Sequence, residues 1–264
     1  MMADSAMNPA PAEALKRMRV RELGSPLRVV CEGSAHRRRG AVAQPESAEV
    51  ERVWAELCAA NPRLHDGHIL QVLEVNAAAG EIVCAVGSYK LLSVAGRVPT
   101  GTLQLGVKGL VIGLDVTSRP HVLLGRRSQQ TRLYGGMWEV APGGGIDPPA
   151  ALLEGNNCEL SEADVLRELA KEGREELGIE IQPHDCRVVA VVRDEIARSE
   201  DVVVRVELPG TIDLACGLKG EHAWEYGDTR WVMLADLALF DADHAAEITP
   251  PTRAIFRWMG WVES

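Results

Sequence analysis

Residues 142–179 read PGGGIDPPAALLEGNNCELSEADVLRELAKEGREELGI, and this stretch decides the fold. Three glycines open it: Gly143, Gly144 and Gly145. A helix follows, with Ser161 as N-cap and Asp164 three residues on, a capping-box spacing. Gly178 stops that helix, and Ile179–Ile181 starts the next element. At about 100° per residue, Val165, Leu166, Leu169 and Leu177 form one apolar stripe, which should face the core. Glu168, Glu172, Glu175 and Glu176 form a second stripe. Glu172 and Glu176 are an i, i+4 like-charge pair, which costs an isolated helix a few tenths of a kcal/mol. A cation over the stripe reverses that cost. Carboxylates clustered on a rigid helix suit a hard divalent ion, Mg²⁺ or Mn²⁺. Taken by itself, such a cluster reads more plainly as a solvated acidic face.

The surroundings change that balance. Glu172, Glu175, Glu176, Gly178 and Ile179, preceded by the glycine run, resemble the Nudix box, G-x5-E-x7-R-E-U-x-E-E-x-G-U with U aliphatic. Lys171 stands where the pattern has arginine, and Gly173 where it has an aliphatic residue. Pro148 to Asn157 lengthen the gap between glycines and helix, so the upstream glutamate has no place by count; Glu159 and Glu162 are nearest. A second register, Arg167-Glu168-Leu169 to Glu172, lacks a carboxylate at Lys171 and a glycine at Arg174. Gly173 inside a helix costs up to about 1 kcal/mol against alanine. It serves close packing or marks a site that has drifted.

The order of short words upstream strengthens the resemblance. A strand Val122–Ser128 ends in Arg126-Arg127-Ser128. Tyr134-Gly-x-x-Trp138-Glu139 follows, then Pro142 and the glycines. Further back, Trp54, Asn61-Pro62-x-Leu64-x-Asp66 and Gly87-Ser88-Tyr89-Lys90 look like the lead region of the UDP-sugar diphosphatase branch of that family.

The resemblance implies an α/β fold, a Nudix-type α/β/α sandwich with a mixed sheet, preceded by a smaller β-rich region. Its implied activity is divalent-metal-dependent hydrolysis of the diphosphate bond in a nucleoside diphosphate joined to another group, with UDP-sugars as one substrate class. Glu172, Glu175 and Glu176 are the implied metal ligands, with Lys171 holding one of them by charge. Glu225 is the candidate further ligand or general base, and Glu221 its rival. Gly143, Gly144 and Gly145 let the backbone pass close to metal and phosphate. Arg126 and Arg127 are candidates for the phosphates, though alternation along a strand lets at most one reach them. Tyr134 and Trp138 are candidates to stack a base or sugar; Trp138 reads more simply as core. The alternative is a catalytically inactive Nudix-fold module that binds nucleotides or regulates.

The rest of the chain sets the frame. The sequence divides into a loosely ordered lead over 1–24, a β-rich region with one helix over 25–100 and the hydrolase-like domain over 101–264. A net charge of −10 over 264 residues argues against a nucleic-acid backbone as main partner. The expected partner is a small nucleoside-diphosphate substrate, with a homodimer left open. Six cysteines without a C-x-x-C pair read as reduced thiols of a cytoplasmic protein. No apolar run is long enough for a membrane span. Expected elements include a short helix over Ala12–Val20, strands at Ser25–Cys31, His68–Val75, Glu81–Val86, Leu103–Val116, Cys186–Ile196, Val202–Leu208, Thr211–Cys216 and Thr229–Leu234, and helices at Glu46–Ala60 and Thr252–Val262. His36-Arg37-Arg38-Arg39-Gly40 reads as a basic turn.

Overall fold

Alternating and continuous apolar runs account for most of the sheet. A computed structural model describes residues 11–24, 26–33, 47–214, 218, 220 and 224–263. Among these, twelve strands join one mixed sheet: β1 (Met18–Glu22), β2 (Arg28–Glu32), β3 (His68–Asn76), β4 (Glu81–Ser88), β5 (Gln104–Leu114), β6 (Pro120–Arg127), β7 (Trp138–Val140), β8 (Gly143–Gly145), β9 (Cys158–Ser161), β10 (Cys186–Asp194), β11 (Ser199–Thr211) and β12 (Tyr226–Met233). The helices are α1 (Pro11–Leu15), α2 (Ser47–Ala60), α3 (Tyr89–Val94), α4 (Ala150–Leu153), α5 (Glu162–Glu172), α6 (Leu237–Asp243) and α7 (Pro250–Trp258).

β5 is the branch point. Its apolar run is buried along nearly its whole length, as expected of a strand covered on both faces. One edge runs parallel to β11. On the antiparallel side, residues 106–108 pair with β8 and residues 112–114 with β6, which carries β7 and β12. Gln104 meets Gln71 of β3, so the strands of the first hundred residues belong to the same sheet.

Helices cover both faces. The stripe Val165, Leu166, Leu169 and Leu177 is buried in one core layer with Leu105, Val107 and Val111 of β5. The second layer packs Leu237 and Phe240 of α6 and Ile255 and Phe256 of α7 against Leu110, Ile112, Trp138 and Val140. A third cluster holds α2 against α3 through Val50, Val53 and Val94. The α/β/α layering agrees with the sequence expectation.

Several elements differ from that expectation. The helix over Ala12–Val20 stops at Leu15, and Met18–Glu22 is a strand pairing with β10, because the sheet offers β1 a partner that local propensity does not reveal. The glycine run, for which no secondary structure is expected from the sequence, is a short strand paired with β5. The long Pro148–Asn157 segment folds into α4 and leads to β9, which pairs with β2. β11 ends at Thr211, and Cys216 lies outside the described residues, as do Glu221 and His36-Arg37-Arg38-Arg39-Gly40. Among the described residues, no helix is long and apolar enough to cross a membrane.

Candidate functional site

The acidic helix starts where its residues say it should. Ser161 ends β9 and caps α5, and Asp164 Oδ2 accepts from the Ser161 N–H at 2.7 Å and its hydroxyl at 2.6 Å. The helix is regular to Glu172, and Gly173–Leu177 then widens into a π turn closed by Gly178 in the left-handed region (φ 68°). Such widened turns recur at functional sites. Gly173 is there for close packing: a Cβ on it would meet Ile181 Cδ1 at 2.9 Å and the Ile179 carbonyl at 3.3 Å.

β8 runs beside this turn. The Gly143 N–H donates to Glu176 Oε2 at 3.1 Å. A Cβ on Gly144 would lie 2.6 Å from Glu172 Cδ, so only glycine lets that carboxylate sit against the strand. Alanine at Gly144 is expected to displace Glu172 and weaken Mn²⁺ binding about 10–100-fold, the usual cost of disturbing a ligand's support. Calorimetric titration with Mn²⁺ checks this; unchanged affinity would remove Glu172 from the site.

The carboxylates repel one another. Burial pushes Glu172 up to about 7, with Glu225 and Glu175 adding to the rise and Lys171 opposing it. Glu176 is 4% exposed, and burial, then Glu225 and Glu172, raise it well above the ordinary carboxylate range. Glu225 thus stands close enough to load both helix glutamates. Lys171 donates to Asp147 Oδ2 at 3.1 Å and Glu168 Oε2 at 3.5 Å, not to the three expected ligands. Glu162 accepts from the Leu27 N–H and Glu159 from Arg28, so neither replaces the missing upstream glutamate here.

Glu225 also lines a cleft of about 480 Å³. Its floor carries Lys108, Arg127, Glu139 and Asp201, and one wall carries Asn61, His68 and Tyr89 from the first hundred residues. Glu139 is the hub. It binds Arg127 and accepts from Lys108 Nζ at 3.1 Å and from the Tyr226 hydroxyl at 3.1 Å. Burial would raise Glu139, but the Arg127 and Lys108 charges outweigh it and hold the carboxyl at about 2. Lys108 is kept protonated in turn. The two strand arginines part company, as alternation requires. Arg127 turns into the cleft, whereas Arg126 stacks over the Trp138 ring at 5.6 Å and reaches Glu247 at 3.5 Å.

Tyr134, at φ 58°, lines the cleft and donates its hydroxyl to Asp194 Oδ2 at 2.8 Å. Trp138 does not line it. This ring is 5% exposed and packs edge-on against Phe240 in the second core layer. The cleft instead presents Trp224, 47% exposed, with the Arg63 guanidinium 5.1 Å from its ring centre. Sequence reasoning gave no role to Lys108, Glu139, Asp201 or Trp224. A lysine inside an otherwise apolar strand was the one readable signal, because burying a cation demands a partner.

The floor also fixes a pH dependence. Glu139 has its pKa lowered from 4.5 to about 2, so its contribution to stability is present above 4.5 and lost as pH falls toward 2. Burial raises Asp201 from 3.8 to about 6 against the pull of Lys108, so its contribution is present below 3.8 and lost as pH rises through 6. Denaturant midpoints measured across pH should therefore peak between these limits. Asp201→Asn should flatten the decline above the peak; an unaltered profile would contradict this assignment.

Among the described residues, no three His, Cys, Asp or Glu side chains stand close enough to enclose a metal ion. The donor chemistry nonetheless fits a hard divalent cation. Glu176 is a buried carboxylate with a single backbone N–H contact, and Glu172 and Glu225 crowd it with like charge. A bound cation would lower the energy of all three.

No family model and no curated protein sequence matches the chain. Among solved structures it is similar to the MutT protein from Methanosarcina mazei Go1 (22% identity, 59% of this chain and 91% of that one, TM-score 0.38). It is also similar to a Nudix hydrolase from Alicyclobacillus acidocaldarius (12% identity, 59% and 90% covered, TM-score 0.43). A third is a bifunctional NMN adenylyltransferase/ADP ribose pyrophosphatase from Francisella tularensis, complexed with AMP and a Mn ion (15% identity, 59% and 40% covered, TM-score 0.38). These overlaps are partial, so the chemistry of the cleft has to be read from its own side chains.

Proposed function

We propose that this chain hydrolyses the diphosphate bond of a nucleoside diphosphate joined to a second moiety, with Mg²⁺ or Mn²⁺ held by Glu172, Glu175 and Glu176. The observation that carries this reading is that Glu176 and Glu172 sit against the glycine strand at Gly143 and Gly144, with Glu225 beside them in a cleft that also holds Lys108 and Arg127. A divalent cation bound there would neutralise phosphate oxygens and lower the pKa of the attacking water. Glu225 takes the proton of the attacking water. The Gly143 N–H keeps one Glu176 oxygen oriented, so that the other would be available to a cation. Lys108 and Arg127, kept charged by Glu139, attract the diphosphate to the floor.

The second moiety is proposed to be a sugar, with UDP-sugars as the substrate class. This is supported by Asn61, Leu64 and Tyr89, from the short words that resemble the UDP-sugar diphosphatase branch, all of which line the cleft. Trp224 at the rim offers a stacking face for a base. A cytoplasmic homodimer completes the proposal; light scattering on the purified protein tests the assembly.

The deciding experiment follows the phosphomonoester products, as phosphate freed by added alkaline phosphatase, on a nucleotide panel containing UDP-glucose, ADP-ribose and dinucleotides, with Mg²⁺ and with Mn²⁺. Turnover of UDP-glucose above the others is the expected result. One observation favours a second reading, a binding or regulatory module: Lys171 pairs with Asp147 and Glu168 rather than with an expected ligand. Nucleotide binding by calorimetry with no turnover on any member of the panel would select it.

A further inference from the structure

Three thiols form one row across the sheet, away from the cleft lining. Cys31 of β2 lies directly opposite Cys158 of antiparallel β9 and beside Cys84 of parallel β4. Residues paired in this way share a face of the sheet. The neighbouring row, Ile82, Val29 and Leu160, has the same register and meets the same core layer. Cys31 and Cys84 are fully buried, whereas Cys158 is half-buried on β9, the edge strand. All three are free, and the Cys31 thiol donates to the Val29 carbonyl at 3.9 Å. Opposed residues of an antiparallel pair have Cα atoms about 4.5–5.5 Å apart. A disulfide spans roughly 4.4–6.8 Å, so the backbone already has the spacing the bond requires.

We propose that Cys31 and Cys158 are a reversible modification site, a cross-strand disulfide formed by exchange with a small-molecule disulfide such as oxidised glutathione. In the first step the Cys158 sulfur, as thiolate, attacks one glutathione sulfur. The glutathione S–S bond breaks, a mixed disulfide forms, and the released thiolate takes up a proton. In the second step the Cys31 sulfur loses its proton and attacks the Cys158 sulfur, releasing the second glutathione as a thiol. Two protein thiols are oxidised and one glutathione disulfide is reduced to two thiols.

The geometry sets the order of events. Burial pushes Cys31 up to about 12, so it is a poor first attacker, and Cys158 at the sheet edge is the sulfur that solution reaches. Cys84 lies on the other side of Cys31 and is likewise fully buried. The bond would tie β2 to the strand whose last residue, Ser161, caps the acidic helix. This site is independent of the hydrolase reading.

The test treats the full-length protein with oxidised glutathione, blocks remaining thiols, digests without reductant and maps the peptides by mass spectrometry. The expected product is a single linked pair, Cys31 to Cys158, reversed by dithiothreitol. The oxidised chain should be about two daltons lighter and melt about 5–10 °C higher. Cys158→Ser should lose both effects, and Cys84→Ala should keep the link. A mixed disulfide that stays on Cys158, or a link joining any other pair, would overturn the proposal.

Discussion

Replacing Glu176 by glutamine is expected to lower turnover about 1,000-fold and to leave the protein at least as stable as before. The two effects have separate causes. Glutamine has the same shape and keeps an oxygen to accept from the Gly143 N–H. It also removes a buried negative charge that Glu225 and Glu172 crowd, so folding loses a repulsion. The same change deletes a hard anionic ligand, and several kcal/mol of transition-state stabilisation go with it. Steady-state kinetics beside thermal melts give both readings. A structural glutamate would show the opposite pattern, with lost stability and little change in kcat. Unchanged turnover in both Glu175→Gln and Glu176→Gln would remove the assigned ligands.

The largest stability effect should come from Arg127→Met. Arg127 and Lys108 together keep Glu139 ionised where burial would otherwise protonate it. Removing one partner strands a buried charge, which typically costs about 3–5 kcal/mol. For a chain of this size that is a fall of roughly 10 °C in Tm. The double variant Arg127→Met, Glu139→Gln should recover a good part of the loss, because it removes the stranded charge as well. If the double change is merely the sum of the two single losses, Glu139 and Arg127 do not act as a pair.

Both variants bear on how the cleft is built. Glu225 links the cleft to the acidic glutamates, which come from one continuous segment, the helix and π turn from Glu162 to Leu177. The floor of the cleft, Lys108, Arg127, Glu139 and Asp201, comes from β5, β6, β7 and β11, and its far wall from residues up to Tyr89. The segment-borne part follows from periodicity. The assembled part depends on strand order, which no local pattern specifies.

The amino-acid sequence by itself determined the acidic helix, its capping pair, its glycine stop and the stripe that enters the core. These follow from 3.6-residue periodicity and capping chemistry, which act within a few residues. It also determined that at most one of Arg126 and Arg127 turns inward, because strand side chains alternate. Only the tertiary structure decided which one does so, and that Glu139 is the partner. Only there does Trp138 enter the core while Trp224 reaches the cleft. Cys31, Cys84 and Cys158 likewise become neighbours only through the pairing of β4, β2 and β9. The physical reason is the same each time: strand pairing and charge burial join residues far apart in the chain, and their cost and gain arise only once the sheet has formed.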